Sequence, residues 1–291
     1  MIKLLRQVRH SIHWRCIHYY FLVYGISHSL WARARIAWRW RFEPGSYPHK
    51  LPSPLIVSLT SYPPRFRTLA FTLRSLLRQT VKANRIILWI AHSDMPLLPQ
   101  NVTDLQTAGL EIRATGDIKS YKKILPALDA FPNAFIATAD DDIYYRSTWL
   151  EQLVEGVSLA DRIISCHRAN EIIFDSEGRF KSSRAWVPVT RKKQQKTLFP
   201  HGCGGVLFPP GILTHTVEDR AAALSLCPYN DDLWLYWIGR RNGATYKVVD
   251  HRHKLIQWFG SQKHCLTHYN RTGDGDDEQL KNMVEKYGCP Q

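Results

Sequence analysis

Three consecutive aspartates follow a short apolar run and are the first group in the sequence able to do chemistry. Asp140, Asp141 and Asp142 come directly after the strand-like segment 134–139. Three carboxylates at a strand end are costly unless a cation neutralises them. In an extended segment Asp140 and Asp142 point the same way, and hard divalent cations take carboxylate and phosphate oxygens. The triplet therefore predicts Mn²⁺ or Mg²⁺ bound to a diphosphate, and the alternative is a solvated acidic turn or helix cap.

A second acidic pair, Asp231 and Asp232, follows Pro228-Tyr229-Asn230 and opens a helical pattern. Acids at a helix start are common caps, and capping alone accounts for one of them. The other is then available as a general base. Base and cap are equally supported by the sequence.

Two further segments are candidates for ligand binding. The glycine-rich turn 201–205 leads into an apolar strand, so Gly204 and Gly205 either let the backbone approach a ligand or form a tight bend without one. Lys119, Lys122 and Lys123 precede or begin a helical segment, where one of them is a candidate phosphate ligand and solvated lysines are the commoner interpretation.

One histidine near the C-terminus is a candidate metal ligand. A zinc site built from His264, Cys265 and His268 is not supported, because their spacing matches no structural-zinc pattern. His268 alone completing the coordination of an aspartate-bound metal is the better interpretation. The acid-rich stretch that follows it has the composition of a helix N-terminus.

The elements that must position these residues alternate between strand and helix. The predicted strands are 55–60, 85–91, 110–115 and 134–139, with helices at 67–79 and 120–130. This alternation predicts an α/β protein with a mostly parallel central sheet and helices on both faces. Ligands bind beyond the carboxyl ends of such strands, where the aspartate triplet and the loop 60–65 share one edge. In the second half we predict strands at 162–166, 204–208 and 245–249 and helices at 231–241 and 276–286.

Composition and charge limit the possible classes of protein. The 291 residues include 44% hydrophobic side chains, which excludes a disordered chain, and carry a net charge of +14, which favours anionic partners. The six cysteines form no C-x-x-C pair and fit free thiols in a reducing cytosol. A Pro-rich linker over 44–54 separates a basic arm, 1–46, from the main domain, 47–291.

The arm combines arginine with tryptophan. It holds eight Lys and Arg against one acid, and its longest stretch without charged side chains, 16–32, has 17 residues. That length is at the short limit for a membrane span. Interleaved cations and aromatic rings are typical of an interfacial helix, so we expect peripheral attachment to the anionic inner face of the cell membrane. The alternatives are a solvated or self-packed helix and a true span.

Several motifs together resemble glycosyltransferases of the GT-A fold. TLRSLLRQTVKANRIILWIA resembles the segment after the first strand of family-2-like members, ATADDDIYY their DxD motif, and NDDLWL the acidic pair of inverting members. IVSLTSYPPRF and DIKSYKKILPAL are similar to bacterial polysaccharide and lipopolysaccharide transferases of this group. The resemblance covers roughly residues 54–285 and leaves the arm outside.

The resemblance implies a role for each matching position. The donor is a nucleotide sugar, most often a UDP-sugar, and the acceptor a hydroxyl of a glycan or lipid-linked glycan. Asp232 would be the catalytic base with Asp231 as fallback, and Asp142, with Asp140 and His268, would bind the metal. The expected donor-contacting residues are Thr60, Ser61, Tyr62, Arg65, Lys119, Lys123, Asp140, Asp141, Gly204 and Gly205. Asp231 stands where the acidic pair of this family usually has Glu, so the motif does not identify which of the two acids is the base.

Two other functional classes are compatible with a basic α/β chain. A sugar nucleotidyltransferase would carry a Gly-rich, Lys- or Arg-bearing signature near the first strand, and LTSYPPRF lacks it. A non-catalytic membrane- or nucleic-acid-binding module is disfavoured because half of the net charge lies in the arm and no nucleic-acid-binding signature is present. We therefore expect no nucleic-acid partner.

Overall fold

The computed structural model describes residues 23–42, 45–250, 255–264 and 275–290. The strands are β1 (Tyr47–Pro48), β2 (Leu55–Thr60), β3 (Val81–Lys82), β4 (Arg85–Ala91), β5 (Leu110–Thr115), β6 (Phe135–Ala139), β7 (Ile143–Tyr144), β8 (Ile163–Cys166), β9 (Ala169–Glu171), β10 (Val187–Pro188), β11 (Lys193–Gln195), β12 (Leu198–Pro200), β13 (Val206–Phe208), β14 (Thr245–Val248) and β15 (Ile256–Gln257). The helices are α1 (23–42), α2 (Phe66–Leu76), α3 (Gln100–Thr103), α4 (Leu125–Ala130), α5 (Trp149–Gly156), α6 (Val217–Leu226), α7 (Asp231–Arg241) and α8 (Gly275–Tyr287).

A central sheet of eight strands organises the described part of the chain, in the order β11-β14-β8-β13-β6-β2-β4-β5. Strands β6, β2, β4 and β5 are mutually parallel, and β14 is parallel to β8. Strand β13 is antiparallel to both of its neighbours, and β11 is antiparallel to β14. Six of the eight strands thus run in one direction, and the predicted α/β class with a mostly parallel sheet is confirmed.

The order of the parallel strands reverses at β2. From β2 the chain adds β4 and β5 on one side and then returns to add β6 on the other side. Ligand sites of open α/β sheets lie at such a reversal, beyond the carboxyl ends of the strands. The register pairs Leu59 of β2 with Ala139 of β6, so Thr60 and Asp140 follow side by side at that edge.

Helices cover both faces of the sheet because successive strand side chains alternate between them. Along β2, Leu55, Val57 and Leu59 belong to one buried cluster, together with the apolar side of α2. Ile56 belongs to the other cluster, together with α7. Burial on both faces explains why these strands are apolar at nearly every position.

The predicted elements agree with the structure most closely in the parallel half. β2, β4, β5 and α7 have the predicted bounds. The predicted helix 120–130 is split into a 3₁₀ turn, Lys119–Lys123, and α4, because Ile124 at φ −124° and ψ −50° leaves helical geometry. Gly202–Gly204 is likewise a 3₁₀ turn, so β13 begins later than the predicted strand.

The described part of the predicted arm is the helix α1, which packs on the main domain. Ala32 and Ile36 are buried against Tyr144, Ile256 and Trp258. In the ranges that the structure describes, no helix combines the length and apolar character needed to cross a bilayer. The role of residues 1–22 lies outside the described residues.

Candidate functional site

The loop after β2 lies beside the aspartate triplet. The Thr60 hydroxyl donates to the Trp89 carbonyl at 2.7 Å, and the Ser61 hydroxyl donates to the Asp141 carboxylate at 2.5 Å. Tyr62 is exposed, whereas Arg65, at the end of a 3₁₀ turn over Pro63–Arg65, is buried. This loop therefore places one hydroxyl and one guanidinium on the triplet and leaves an aromatic ring open to solvent.

The side chains of Asp140 and Asp142 do not point the same way, as they would in an extended strand. Arg65 forms an ion pair with Asp142, and its Nη1 lies 3.6 Å from the Asp141 carboxylate. Asp140 faces Lys123 instead. The physical reason is that β6 ends at Ala139 and the chain turns at once, so alternation of side chains no longer applies.

Burial disfavours the ionised forms of Asp141 and Asp142. Burial, with repulsion from Asp142, raises the pKa of Asp141 to about 7, although Arg65 and Ser61 oppose the shift. Burial also raises the pKa of Asp142, against the opposing effect of Arg65. Burial lowers the pKa of Arg65, but Asp142 and Asp141 outweigh it and the net pKa is raised. An additional positive charge beside the triplet would therefore stabilise its ionised carboxylates.

Backbone hydrogen bonds hold the triplet in place. The Thr72 hydroxyl of α2 donates to the Asp141 carbonyl at 2.8 Å, and the Trp258 backbone N–H donates to the Asp142 carbonyl at 3.0 Å. The Trp258 indole N–H donates to the Thr72 hydroxyl at 2.7 Å, which joins the two supports. The Asp140 N–H donates to the Tyr145 hydroxyl at 2.8 Å.

Lys123 connects the triplet to the second acidic pair. Its Nζ lies 3.1 Å from the Asp140 carboxylate and 3.1 Å from the Asp231 carboxylate, and its side chain is 8% exposed. Burial lowers its pKa, but Asp140, Asp231 and Asp232 outweigh this and hold the pKa well above the usual lysine value. Its backbone carbonyl accepts from the Ser58 hydroxyl at 2.5 Å, which fastens the 3₁₀ turn to β2.

The start of α7 shows which side chain caps the helix. The side chain of Asn230, not an aspartate, accepts from the Leu233 N–H at 3.3 Å and caps the helix. Asp231 pairs with Lys123, and Asp232 accepts from the Gly202 N–H at 2.9 Å. Burial, with repulsion from Asp231, raises the pKa of Asp232 to about 7, against the opposing effect of Lys123. A carboxyl with such a pKa is suited to accept a proton near neutral pH.

The glycine-rich turn 201–205 contacts the Asp232 carboxylate through Gly202, which was not among the predicted site residues. A Cβ on Gly202 would lie 2.7 Å from Asp232 Oδ1, so only glycine fits there without a shift. Gly205 has φ +93°, and a Cβ there would lie 2.4 Å from the Trp149 indole nitrogen, which fits the tight-bend interpretation. The Trp149 indole N–H donates to the Gly204 carbonyl at 2.8 Å and holds the turn.

One predicted site residue with a described position lies away from this cluster, and another falls outside the described residues. Lys119 is exposed, and its Nζ lies 3.8 Å from the centroid of the Tyr229 ring. His268 lies outside the described residues. Gln262 was not predicted: its side-chain amide donates to the Asp142 carboxylate. No sequence motif marks Gln262, because it approaches from a separate segment near the C-terminus.

The possible ligands for the predicted divalent cation are carboxylates. Among the described residues, no three His, Cys, Asp or Glu side chains converge as a complete metal site. The triplet and the acidic pair supply five carboxyl groups, and Arg65 and Lys123 are the basic residues that form ion pairs with them. Burial raises the pKa values of Asp141, Asp142 and Asp232, so their ionised forms would be stabilised by a further cation. Such hard oxygen donors fit a Mn²⁺ or Mg²⁺ ion that would also bind a diphosphate.

Comparison with known proteins identifies no family for this chain. No protein-family profile and no curated protein sequence matches the chain. A crystal structure of GalNAc-T7 with UDP, GalNAc and Mn²⁺ is similar over 67% of this chain, at 12% sequence identity and a TM-score of 0.44. The chain spans 42% of that protein's length. A likeness this distant assigns no function to the chain.

Proposed function

We propose that the protein is a metal-dependent glycosyltransferase of the GT-A type that moves a sugar from a nucleotide diphosphate to an acceptor hydroxyl. The observation that carries the proposal is Lys123, which lies 3.1 Å from both Asp140 and Asp231. It brings together the two acidic motifs that resemble the donor-binding and base motifs of such enzymes. Both motifs lie at the strand-order reversal where α/β sheets bind ligands.

The donor would bind over the carboxyl ends of β2 and β6. Asp142 would hold the metal on the diphosphate, with Asp140, whose carboxylate faces Lys123 in this structure, and His268 as further candidate ligands. The metal would offset the negative charge that develops on the leaving nucleoside diphosphate. Thr60, Ser61 and Tyr62 would face the nucleoside, and a UDP-sugar is the expected donor.

Asp232 is the better candidate for the base. Asp231 pairs with Lys123 at 3.1 Å, whereas the Asp232 carboxylate accepts a hydrogen bond from the Gly202 N–H. In one in-line displacement, Asp232 takes the proton of the acceptor hydroxyl while the hydroxyl oxygen bonds to the anomeric carbon. The bond from that carbon to the diphosphate oxygen breaks, and the anomeric configuration inverts. Asp231 is the fallback base.

The acceptor class follows from the resemblance alone. It would be a glycan or lipid-linked glycan in the synthesis of bacterial surface polysaccharide, such as capsule or lipopolysaccharide. The reaction would then take place in the cytoplasm, at the inner face of the cell membrane.

The proposal is tested by incubating the purified protein with a panel of nucleotide sugars and Mn²⁺ or Mg²⁺. Release of nucleoside diphosphate, by hydrolysis or transfer, is the expected result. Asp142→Ala should abolish both turnover and metal-dependent donor binding, whereas Asp232→Asn should lose turnover and keep donor binding in calorimetry. Full activity of Asp142→Ala would overturn the metal assignment, and pyrophosphate-dependent exchange instead of transfer would indicate a nucleotidyltransferase.

A further inference from the structure

The helix α1 is fastened to the domain by one face. Ser29, Ala32, Ile36 and Arg39 are buried, at spacings of three and four residues that place them along one side of a helix. The Phe259 backbone N–H donates to the Ser29 hydroxyl at 3.4 Å, and the Arg39 guanidinium donates to the Arg78 carbonyl. This face therefore belongs to the core and is not available to a partner.

The opposite face of α1 is apolar and exposed. Five large side chains are about half exposed or more: Val23 at 63%, Leu30 at 57%, Trp31 at 52%, Trp38 at 47% and Phe42 at 62%. At 3.6 residues per turn they lie on the side away from the buried face and form a stripe along the whole described helix. The Trp31 ring, at one margin of the stripe, also meets the Tyr144 ring edge-on, with centroids 5.9 Å apart. We call these five residues the outer stripe. Surface helices of globular proteins normally carry polar residues there.

Positive charge flanks the outer stripe. Residues 23–42 contain four arginines and no Asp or Glu. The Arg35 guanidinium lies 4.7 Å from the Trp38 ring centroid, and the Arg41 guanidinium lies 5.7 Å from the Phe42 ring centroid. In an interfacial helix, an arginine beside an aromatic ring lets the guanidinium contact lipid phosphates while the ring contacts the acyl chains.

We propose that the outer stripe of α1 binds an anionic lipid bilayer. Its aromatic rings would sit at headgroup depth, and Arg35 and Arg41 would contact lipid phosphates. The occupant is a lipid surface because the stripe is apolar along its length, is flanked within residues 23–42 by four arginines and no acidic residue, and is carried on a helix whose other face packs on the domain. This inference goes beyond sugar transfer and does not depend on it.

Such binding would bring the bilayer close to the candidate site. The buried face of α1 packs on Tyr144 and Trp258, and Trp258 supports the Asp142 carbonyl directly. One layer of side chains and one helix diameter, about 10 Å, thus separate the outer stripe from the scaffold of the aspartate triplet. The membrane surface would lie within reach of an acceptor carried in it.

The test is co-sedimentation of the full-length protein with phosphatidylcholine vesicles, with and without phosphatidylglycerol. Binding to the anionic vesicles is expected, and it should weaken as salt is raised. The triple variant Leu30→Ser, Trp38→Ser, Phe42→Ser should bind at least about tenfold more weakly, because each half-exposed apolar side chain gains roughly several-fold on leaving water. Arg35→Gln with Arg41→Gln should also weaken binding by about tenfold or more.

A matched control removes equally exposed apolar side chains elsewhere. Leu97, Val187 and Val217 are 59%, 52% and 81% exposed, and replacing all three by Ser should leave vesicle binding unchanged. Circular dichroism melting checks that each variant folds.

A second measurement separates the outer stripe from residues 1–22, which also carry cations and aromatic rings. Brominated phospholipids should quench the wild-type fluorescence, and Trp38→Phe should remove part of that quenching, whereas Trp237→Phe, whose ring is buried, should not. Unchanged vesicle binding by the triple variant, or equal binding to neutral vesicles, would overturn the proposal. So would a dimer in sedimentation velocity that the triple variant abolishes, without vesicle binding by the wild type.

Discussion

Replacing Lys123 by methionine should destabilise the protein far more than the same change at its neighbour Lys122. Both side chains are buried, at 8% and 5% exposed. Lys123 pairs with Asp140 and Asp231, whose side chains are 29% and 9% exposed, whereas Lys122 pairs with Asp117, which is 66% exposed. The two variants lose the same charge and gain the same side chain, and they differ in which carboxylate loses its partner.

The expected magnitude follows from that difference. Removing one partner of a buried ion pair costs about 3–5 kcal/mol, because the remaining charge is left without compensation. Losing a pair with a solvent-exposed carboxylate costs about 0–1 kcal/mol. For a domain of this size, about 1 kcal/mol corresponds to roughly 2–4 °C, so Lys123→Met should lower the melting temperature by about 10 °C and Lys122→Met by a few degrees at most.

The pH dependence gives an independent check of the same reasoning. Lys123 lowers the pKa of Asp232, so its loss raises that pKa further above the unfolded value. A carboxyl whose folded pKa is raised favours the folded state at low pH and loses that contribution as pH rises through the folded pKa. The stability difference between Lys123→Met and wild type should therefore widen from about pH 5 to about pH 8. Urea unfolding at both pH values measures it, and equal free energies of unfolding for the two methionine variants would refute the electrostatic account.

Two further predictions concern the acidic pair. Turnover should rise as pH increases through about 7, because Asp232 accepts a proton only when ionised and burial raises its pKa to that value; a pH–rate profile that is flat above pH 5 would contradict its role as base. Gly202→Ala should lower turnover with little loss of donor affinity, because the new Cβ would lie 2.7 Å from Asp232 Oδ1 and displace the carboxylate. Gly116→Ala, where a Cβ meets nothing within 4 Å, is the matched control, and equal kinetics of the two alanine variants would contradict the positioning.

Local sequence patterns predicted the parallel half of the sheet well. Strands β2, β4 and β5 have the predicted bounds because each is an apolar run closed by polar or turn-forming residues. The small elements of the second half were not predicted. Strands β9, β10 and β12 have two or three residues each, too few to show a periodicity, and they form only because they pair with one another.

The sequence was enough to name candidate residues for the site, but it did not predict which of them contact one another. The types and order of the aspartates, and their place after a strand or at a helix start, are local properties of the chain and were visible without a fold. Which carboxylate faces which cation was decided by tertiary structure. The turn after Ala139 sends Asp140 to Lys123 and Asp142 to Arg65, and Asn230 takes the capping role that leaves both acids of α7 free to face the site.

The sequence by itself determined the α/β class, the apolar strands and the positions of the acidic motifs, because each depends on residues that are neighbours along the chain. Only the tertiary structure placed Lys123 between two distant acidic motifs, seated Gly202 against Asp232, and turned one face of α1 toward the domain and the other toward solvent. Those arrangements depend on which surfaces bury one another, and burial is a property of the folded chain as a whole.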